Sequence, residues 1–102
     1  MNPSQYFVYI LVCANGSLYV GQTHDIHQRM RRHADGTAAA FTREHPPLKL
    51  MYLESVPTRA AAVSRERQIK GWTRAKKEAL IEGDREQLRQ LSRRRSTAII
   101  AT

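Results

Sequence analysis

The run Phe7 to Cys13 is almost continuously apolar and rich in β-branched and aromatic residues, and Asn15-Gly16 follows at once. It is too short for a buried helix, so it predicts a central β-strand. Asn-Gly is a strong hairpin signal, and Leu18-Tyr19-Val20 supplies the partner strand, ending in a tight Gly21. Two registers are open. A two-residue Asn15-Gly16 turn pairs Val12 with Tyr19 and puts Tyr9 on the opposite face. A three-residue Ala14-Asn15-Gly16 loop pairs Leu11 with Tyr19 and puts both tyrosines together.

Asp25 followed by Gln28 resembles a capping box and predicts a helix to about Ala34, ended by Asp35-Gly36. With Ile26 at zero, Met30 falls at about +40°, His33 at about −20° and Arg29 at about −60° around that helix. Arg29 and His33 therefore flank the buried stripe, while Arg31 and Arg32 point away from it. Gly36 to Pro47 reads as a substrate-facing connection, closed by a Pro46-Pro47 pair that forbids helix continuation. Leu48 to Val56 predicts a third strand covered on both faces.

Thr58 caps a helix of about Arg59 to Lys70. With Glu66 at zero, Ala62 lies at about −40°, Val63 at about +60° and Ile69 at about −60°, so a carboxylate projects from the middle of an apolar face. A buried charge is costly unless it is paired or binds a metal. Gly71 breaks the helix, Trp72 packs, Thr73 caps another helix through Ile81, and Asp84 with Gln87 caps a last one to about Ser92. The expected organisation is a domain over 5–82, a helical extension over 83–92 and a basic, disordered tail over 93–102.

Charge narrows the class of partner. Seventeen Lys and Arg against nine Asp and Glu give a formal charge of +8, which implies an anionic partner such as nucleic acid or a membrane surface, with nucleic acid favoured over a charge that merely serves solubility. One cysteine, Cys13, excludes an internal disulfide and a Cys-based metal site and fits a reducing compartment. No segment approaches the roughly 20 apolar residues of a membrane span, so the expectation is a cytoplasmic protein. No phosphate-binding Gly-rich loop occurs, and His24 and His27 lack a third ligand for zinc.

The remaining chemistry lies in Tyr9, Tyr19, Arg29, His33 and Glu66, all on strands or helices. Each has a structural alternative: the tyrosines as cross-strand packing, Arg29 as the ion-pair partner of Glu66, His33 as a surface group favoured by the helix dipole, and Glu66 as a carboxylate satisfied by Arg or Lys neighbours.

As an ordered set they are more specific. Phe7-Val8-Tyr9, then Tyr19-Val20-Gly21, then Arg29 and His33 on one helix and Glu66 on a second, resemble the GIY-YIG endonuclease domain. In particular they resemble the small stand-alone bacterial members related to the SLX-type nuclease domain. Glu66-Arg67-Gln68-Ile69-Lys70 and Lys76-Lys77-Glu78-Ala79-Leu80-Ile81 also resemble that subgroup. Phe7 replaces the first glycine of the motif and touches no catalytic atom. The late asparagine that some family members use near the site has no counterpart, the only asparagines being Asn2 and Asn15, so that role is either unfilled or not required in this subgroup.

The resemblance implies an α+β fold, a small three-stranded antiparallel sheet flanked by helices, and a metal-dependent endonuclease that cuts DNA, branched or flapped forms included. It implies 5′-phosphate and 3′-hydroxyl products. Tyr9 and Tyr19 match the two motif tyrosines, one of which deprotonates the attacking water, with Tyr9 the favoured base and Tyr19 and His33 positioning. Arg29 matches the arginine on the scissile phosphate, and Glu66 the carboxylate holding Mg²⁺ or Mn²⁺. Tyrosine's ordinary pKa of about 10 has to be lowered for such a role. Arg31, Arg32, Arg43, Lys70, Lys76 and Lys77 are the expected backbone contacts. The alternatives are a non-catalytic nucleic-acid-binding module, a nuclease that needs a partner protein for specificity, and a domain whose basic face binds acidic proteins. RNA as substrate, sequence preference and oligomeric state are left open.

Overall fold

A computed structural model of the chain describes residues 5–92. The apolar run forms β1 (Tyr6–Cys13), followed by β2 (Leu18–Thr23), α1 (Ile26–Ala34), α2 (Ala40–Glu44), β3 (Pro47–Val56), α3 (Arg59–Lys70) and α4 (Arg74–Glu82). The strands make an antiparallel sheet in the order β2-β1-β3, so the most apolar strand is central. The fold is the expected α+β class, three antiparallel strands with flanking helices.

The hairpin takes the three-residue loop. Leu11 pairs with Tyr19 and Tyr9 with Gly21, while Gly16, at φ +84°, donates from its N–H to the Cys13 carbonyl at 2.8 Å. Only a residue free of a Cβ enters that left-handed conformation cheaply. The register puts Tyr9, Leu11, Tyr19 and Gly21 on one face and Val8, Ile10 and Val20 on the other. Val8, Tyr9, Ile10, Leu11, Cys13 and Val20 are all buried, and burial pushes the Cys13 thiol pKa up.

Helix signals act where the side chains predict them. Asp25 accepts from the Gln28 N–H at 3.1 Å to start α1, and Thr58 accepts from the Ala61 N–H at 3.1 Å to start α3. Ala62 and Ile69 are the fully buried residues of α3. Arg65 fastens α3 to β3, its Nε donating to Glu54 Oε2 at 2.9 Å while Tyr52 donates to Glu54 Oε1 at 2.6 Å. Tyr52 and Glu54 lie across from Ile10 and Val8, so α3 serves that face of the sheet.

Two expectations change. β3 is not covered on both faces: it is an edge strand, and Leu48, Leu50 and Leu53 are 70%, 37% and 44% exposed. An apolar run of this length does not distinguish a central strand from an edge one. The connection from Gly36 to Pro47 contains α2, whose Thr42 is buried.

The chain divides into two compact units, one up to Lys70 and one from Gly71. In the second, Thr73 caps α4 through the Lys76 N–H at 3.2 Å, and Gly83 ends it in the left-handed region. Asp84 then accepts from the Gln87 N–H at 2.9 Å and opens a helical stretch over 85–92. Lys76 Nζ sits 4.4 Å above the Trp72 ring. The tail over 93–102 lies outside the described residues. No described helix is long and apolar enough to cross a membrane.

The burial pattern separates two apolar side chains of similar size. Ile69→Ala should cost about 2–4 kcal/mol in urea unfolding, and Leu48→Ala less than about 0.5 kcal/mol. Equal losses would contradict this packing.

Candidate active site

The hairpin register sets Tyr9 and Tyr19 side by side, with ring centroids 6.5 Å apart. The Tyr9 ring crosses over Gly21 on the neighbouring strand. A Cβ built on Gly21 would stand 2.5 Å from Tyr9 Cζ and overlap its hydroxyl. Gly21 therefore does not end the strand, which continues to Thr23. It leaves room for a phenol to lie across the backbone.

His33, in the last turn of α1, closes over both tyrosines. Its ring meets Tyr9 edge-on at 5.7 Å and Tyr19 at 5.4 Å. Tyr9 Oη and His33 Nε2 are 2.8 Å apart, and His33 Nδ1 lies 2.8 Å from Thr42 Oγ1. The Thr42 hydroxyl donates its only proton to the Ala39 carbonyl at 3.2 Å, so it accepts from His33. Nδ1 therefore carries the imidazole proton, and Nε2 is the acceptor for Tyr9 O–H. The chain Tyr9, His33, Thr42, Ala39 is donor to acceptor throughout, and its three side chains are 0%, 2% and 1% exposed.

Electrostatics match this reading. Burial, and next the neighbouring Tyr19, push the Tyr9 pKa up to about 12, with Arg29 offsetting part of the rise and Glu66 adding to it. Burial, and then the Arg29 charge, hold His33 below its ordinary 6.5. Tyr9 keeps its proton and His33 is neutral at pH 7. The rings of Tyr9, Tyr19 and His33 meet directly, and the charges of Arg29 and Glu66 act on the Tyr9 phenol from their helices. These residues do not all face solvent: Tyr19, Arg29 and Glu66 are half-buried, over the enclosed Tyr9 and His33.

Three structural alternatives are resolved by contacts. Glu66 pairs with Lys70, Oε1 to Nζ at 3.1 Å, and Arg29 is not its ion-pair partner. His33 is buried rather than a surface group. The tyrosines do pack against each other, and Tyr9 is in addition part of the polar chain.

Thr42 and Phe41 were not among the expected site residues. Phe41 stacks on Tyr19 with centroids 6.0 Å apart at 19°, is 39% exposed, and has His45 4.9 Å beyond it. Both sit on α2, a helix too short for periodicity to reveal. Of the expected basic contacts, Arg31, Arg32, Arg43 and Lys70 are exposed in the first unit, and Lys76 and Lys77 are half-buried in the second.

One carboxylate of the candidate site, Glu66, could hold a divalent cation. Glu66 offers one carboxylate, its side chain 20% exposed, and its partner Lys70 is a half-exposed flexible cation. Among the described residues no group of three His, Cys, Asp or Glu is placed to hold a metal. One protein oxygen completed by water and a substrate's phosphate oxygens is a magnesium-like arrangement, not a zinc one.

Comparison with known proteins gives a consistent result. The family model described as the GIY-YIG catalytic domain matches residues 5–79. The chain is 46% identical over 77 residues to a UPF0213 protein of Haloquadratum walsbyi, covering 76% of this chain and 86% of that one. It is 40% identical over 82 residues to a UPF0213 protein of Bacillus pumilus, covering 80% and 84%. The solution NMR structure of the UPF0213 protein BH0048 from Bacillus halodurans is similar at 36% identity with a TM-score of 0.52, over 78% of this chain and 85% of that one.

Because Tyr9 is fully enclosed and hydrogen-bonded, it has little freedom to yield to a methyl group on its neighbour. Gly21→Ala should lose about 1–3 kcal/mol of stability in urea unfolding and shift the Tyr9 and His33 ring resonances. Parental stability with unchanged ring signals would contradict the close approach.

Proposed function

The chain belongs to the GIY-YIG catalytic domain family, and on that premise we propose that it is a divalent-metal-dependent endonuclease that hydrolyses phosphodiester bonds in DNA. The observation that supports this reading is the cluster of Tyr9, His33 and Tyr19, with the charges of Arg29 and Glu66 acting on its buried phenol. Family domains of this type support a nuclease-type activity. The substrate, the metal and the roles below are the proposal.

Phosphodiester hydrolysis needs a proton acceptor for water, positive charge at the phosphate and a stabilised leaving oxygen. The Arg29 guanidinium, half-buried beside an uncharged floor, is suited to hold the phosphate and offset charge that builds there. Of the two tyrosines only Tyr19 is open to solvent, so we assign it the water-facing role. This reverses the preference for Tyr9 as base. A phenol at about 12, sealed from solvent and donating to His33, is a poor acceptor. Tyr9 and His33 act instead as a rigid polar support that fixes the Tyr19 ring. Glu66 would hold Mg²⁺ or Mn²⁺, releasing Lys70 as it does so. That ion, when bound, supplies Lewis-acid polarisation of a phosphoryl oxygen. The exposed Arg31, Arg32, Arg43 and Lys70 are suited to backbone contacts without base readout.

The test is cleavage of linear, flapped and branched DNA, and of matching RNA, with Mg²⁺ or Mn²⁺ and with EDTA. Expected are metal-dependent cutting, a loss of at least about 100-fold in Glu66→Gln and Arg29→Ala, and a loss of about 10²–10⁴ in Tyr19→Phe. Cutting that persists in Glu66→Gln would refute the site. Metal-independent binding without cutting would favour a nucleic-acid-binding module on the same fold.

A further inference from the structure

Arg29 of the catalytic cluster also lines a cleft of the first unit. This cleft of about 370 Å³ is lined by Tyr6 of β1, Gln22 and Thr23 of β2, His24, Arg29 of α1 and Arg59 in the first turn of α3. That volume lies within the range of about 300–1,000 Å³ typical of small-ligand sites.

Its lining has a single sign of charge. Two guanidiniums from different helices face one concavity and no carboxylate lines it. Among the described residues neither Arg29 nor Arg59 forms an ion pair. Two arginines that share a cleft whose lining holds no carboxylate repel each other, and an anion between them removes that cost. Guanidinium forks match phosphate oxygens in pairs of parallel hydrogen bonds. The Gln22 amide adds donors, and Tyr6, its ring 6.4 Å from that of His24, offers an aromatic wall at the rim. The floor is fixed: Thr23 is 5% exposed, its hydroxyl donating to the Asp25 carbonyl at 3.2 Å and accepting from the Asp25 N–H at 3.1 Å.

We propose that this cleft binds a second phosphate of the nucleic-acid strand, next to the one positioned for cleavage, with Arg59 as its dedicated ligand and Arg29 bridging the two positions. The inference rests on the nuclease reading for the meaning of "next to", but the binding itself does not require cutting. A second phosphate held off the scissile one fixes the direction in which the strand crosses the site. It also places a minimum length on the substrate.

The probe is octathymidylate with and without a 5′-phosphate, titrated into the full chain in EDTA across a range of salt. Arg59→Ala is compared with Arg67→Ala, which removes the same charge from an exposed position on the same helix outside the cleft. Expected are a loss of about tenfold in affinity for Arg59→Ala and a salt slope shallower by about one. Arg59→Lys should recover part of the loss and Arg67→Ala should stay within about twofold of the parent. Amide signals of Thr23 and His24 should move on titration. Equal binding with and without the 5′-phosphate assigns the cleft to an internal phosphodiester, whereas a gain confined to the phosphorylated strand, and lost in Arg59→Ala, assigns it to a strand end.

Parental affinity in Arg59→Ala, an equal loss in Arg67→Ala, or no binding by the parent would overturn the proposal. The nuclease reading fails separately. A parent that binds through Arg59 but cuts nothing with Mg²⁺ leaves the cleft standing and refutes the hydrolase, and a parent that cuts while Arg59→Ala binds normally does the reverse.

Discussion

The hydrogen bond from Tyr9 to His33 is the constraint around which the first unit is arranged. Both groups are sealed from water, so each polar atom must find its partner inside the protein. The phenol reaches the imidazole only by lying across Gly21, which excludes a side chain there. The imidazole can accept at Nε2 only if Nδ1 has an acceptor of its own, which the short helix α2 supplies through Thr42. Thr42 can accept only because Ala39 takes its proton. One bond thus links a central strand, a glycine on its neighbour and two helices.

The same arrangement separates the site into two electrostatic layers. Its floor is polar but uncharged: burial keeps Tyr9 protonated and His33 neutral. Its rim carries the charges of Arg29 and of the Glu66–Lys70 pair, together with the half-open ring of Tyr19. A fixed charge over a poorly solvated floor acts on a ligand more strongly than it would in water. A histidine cation in that floor would oppose Arg29 and leave Tyr9 without an acceptor. The neutrality of His33 is therefore part of what the site is.

Much of this was legible in the sequence because local chemistry decides it. The Asn15-Gly16 turn, the Asp25, Thr58, Thr73 and Asp84 caps and the apolar run of β1 each act through neighbours within a few residues, and each appears as expected. The register was undecided until the loop length was known, and the three-residue loop is what brings Tyr9 and Tyr19 together. Three features were hidden for physical reasons. α2 spans Ala40–Glu44, too short to display a period. β3 carries apolar residues that the sheet edge leaves exposed, so composition suggested more cover than it has. The sealing of Tyr9 depends on side chains remote in sequence, and no spacing rule reveals that the first tyrosine is the enclosed one. Glu66 was legible as an anomaly, a carboxylate on an apolar helix face; its pairing with Lys70 is a local contact four residues along the same helix, whereas the absence of an Arg29 pair depends on how the helices sit.

The central claim is that His33 is a neutral imidazole protonated on Nδ1, accepting the Tyr9 proton at Nε2. Nitrogen-15 spectra of the His33 ring in the intact protein, followed from pH 8 downward, test it most directly. The account predicts a protonated Nδ1 and a bare Nε2 at pH 7, with the ring still largely neutral at its ordinary midpoint of 6.5. A proton on Nε2 at pH 7, or a cation forming with a midpoint at or above 6.5, would contradict it.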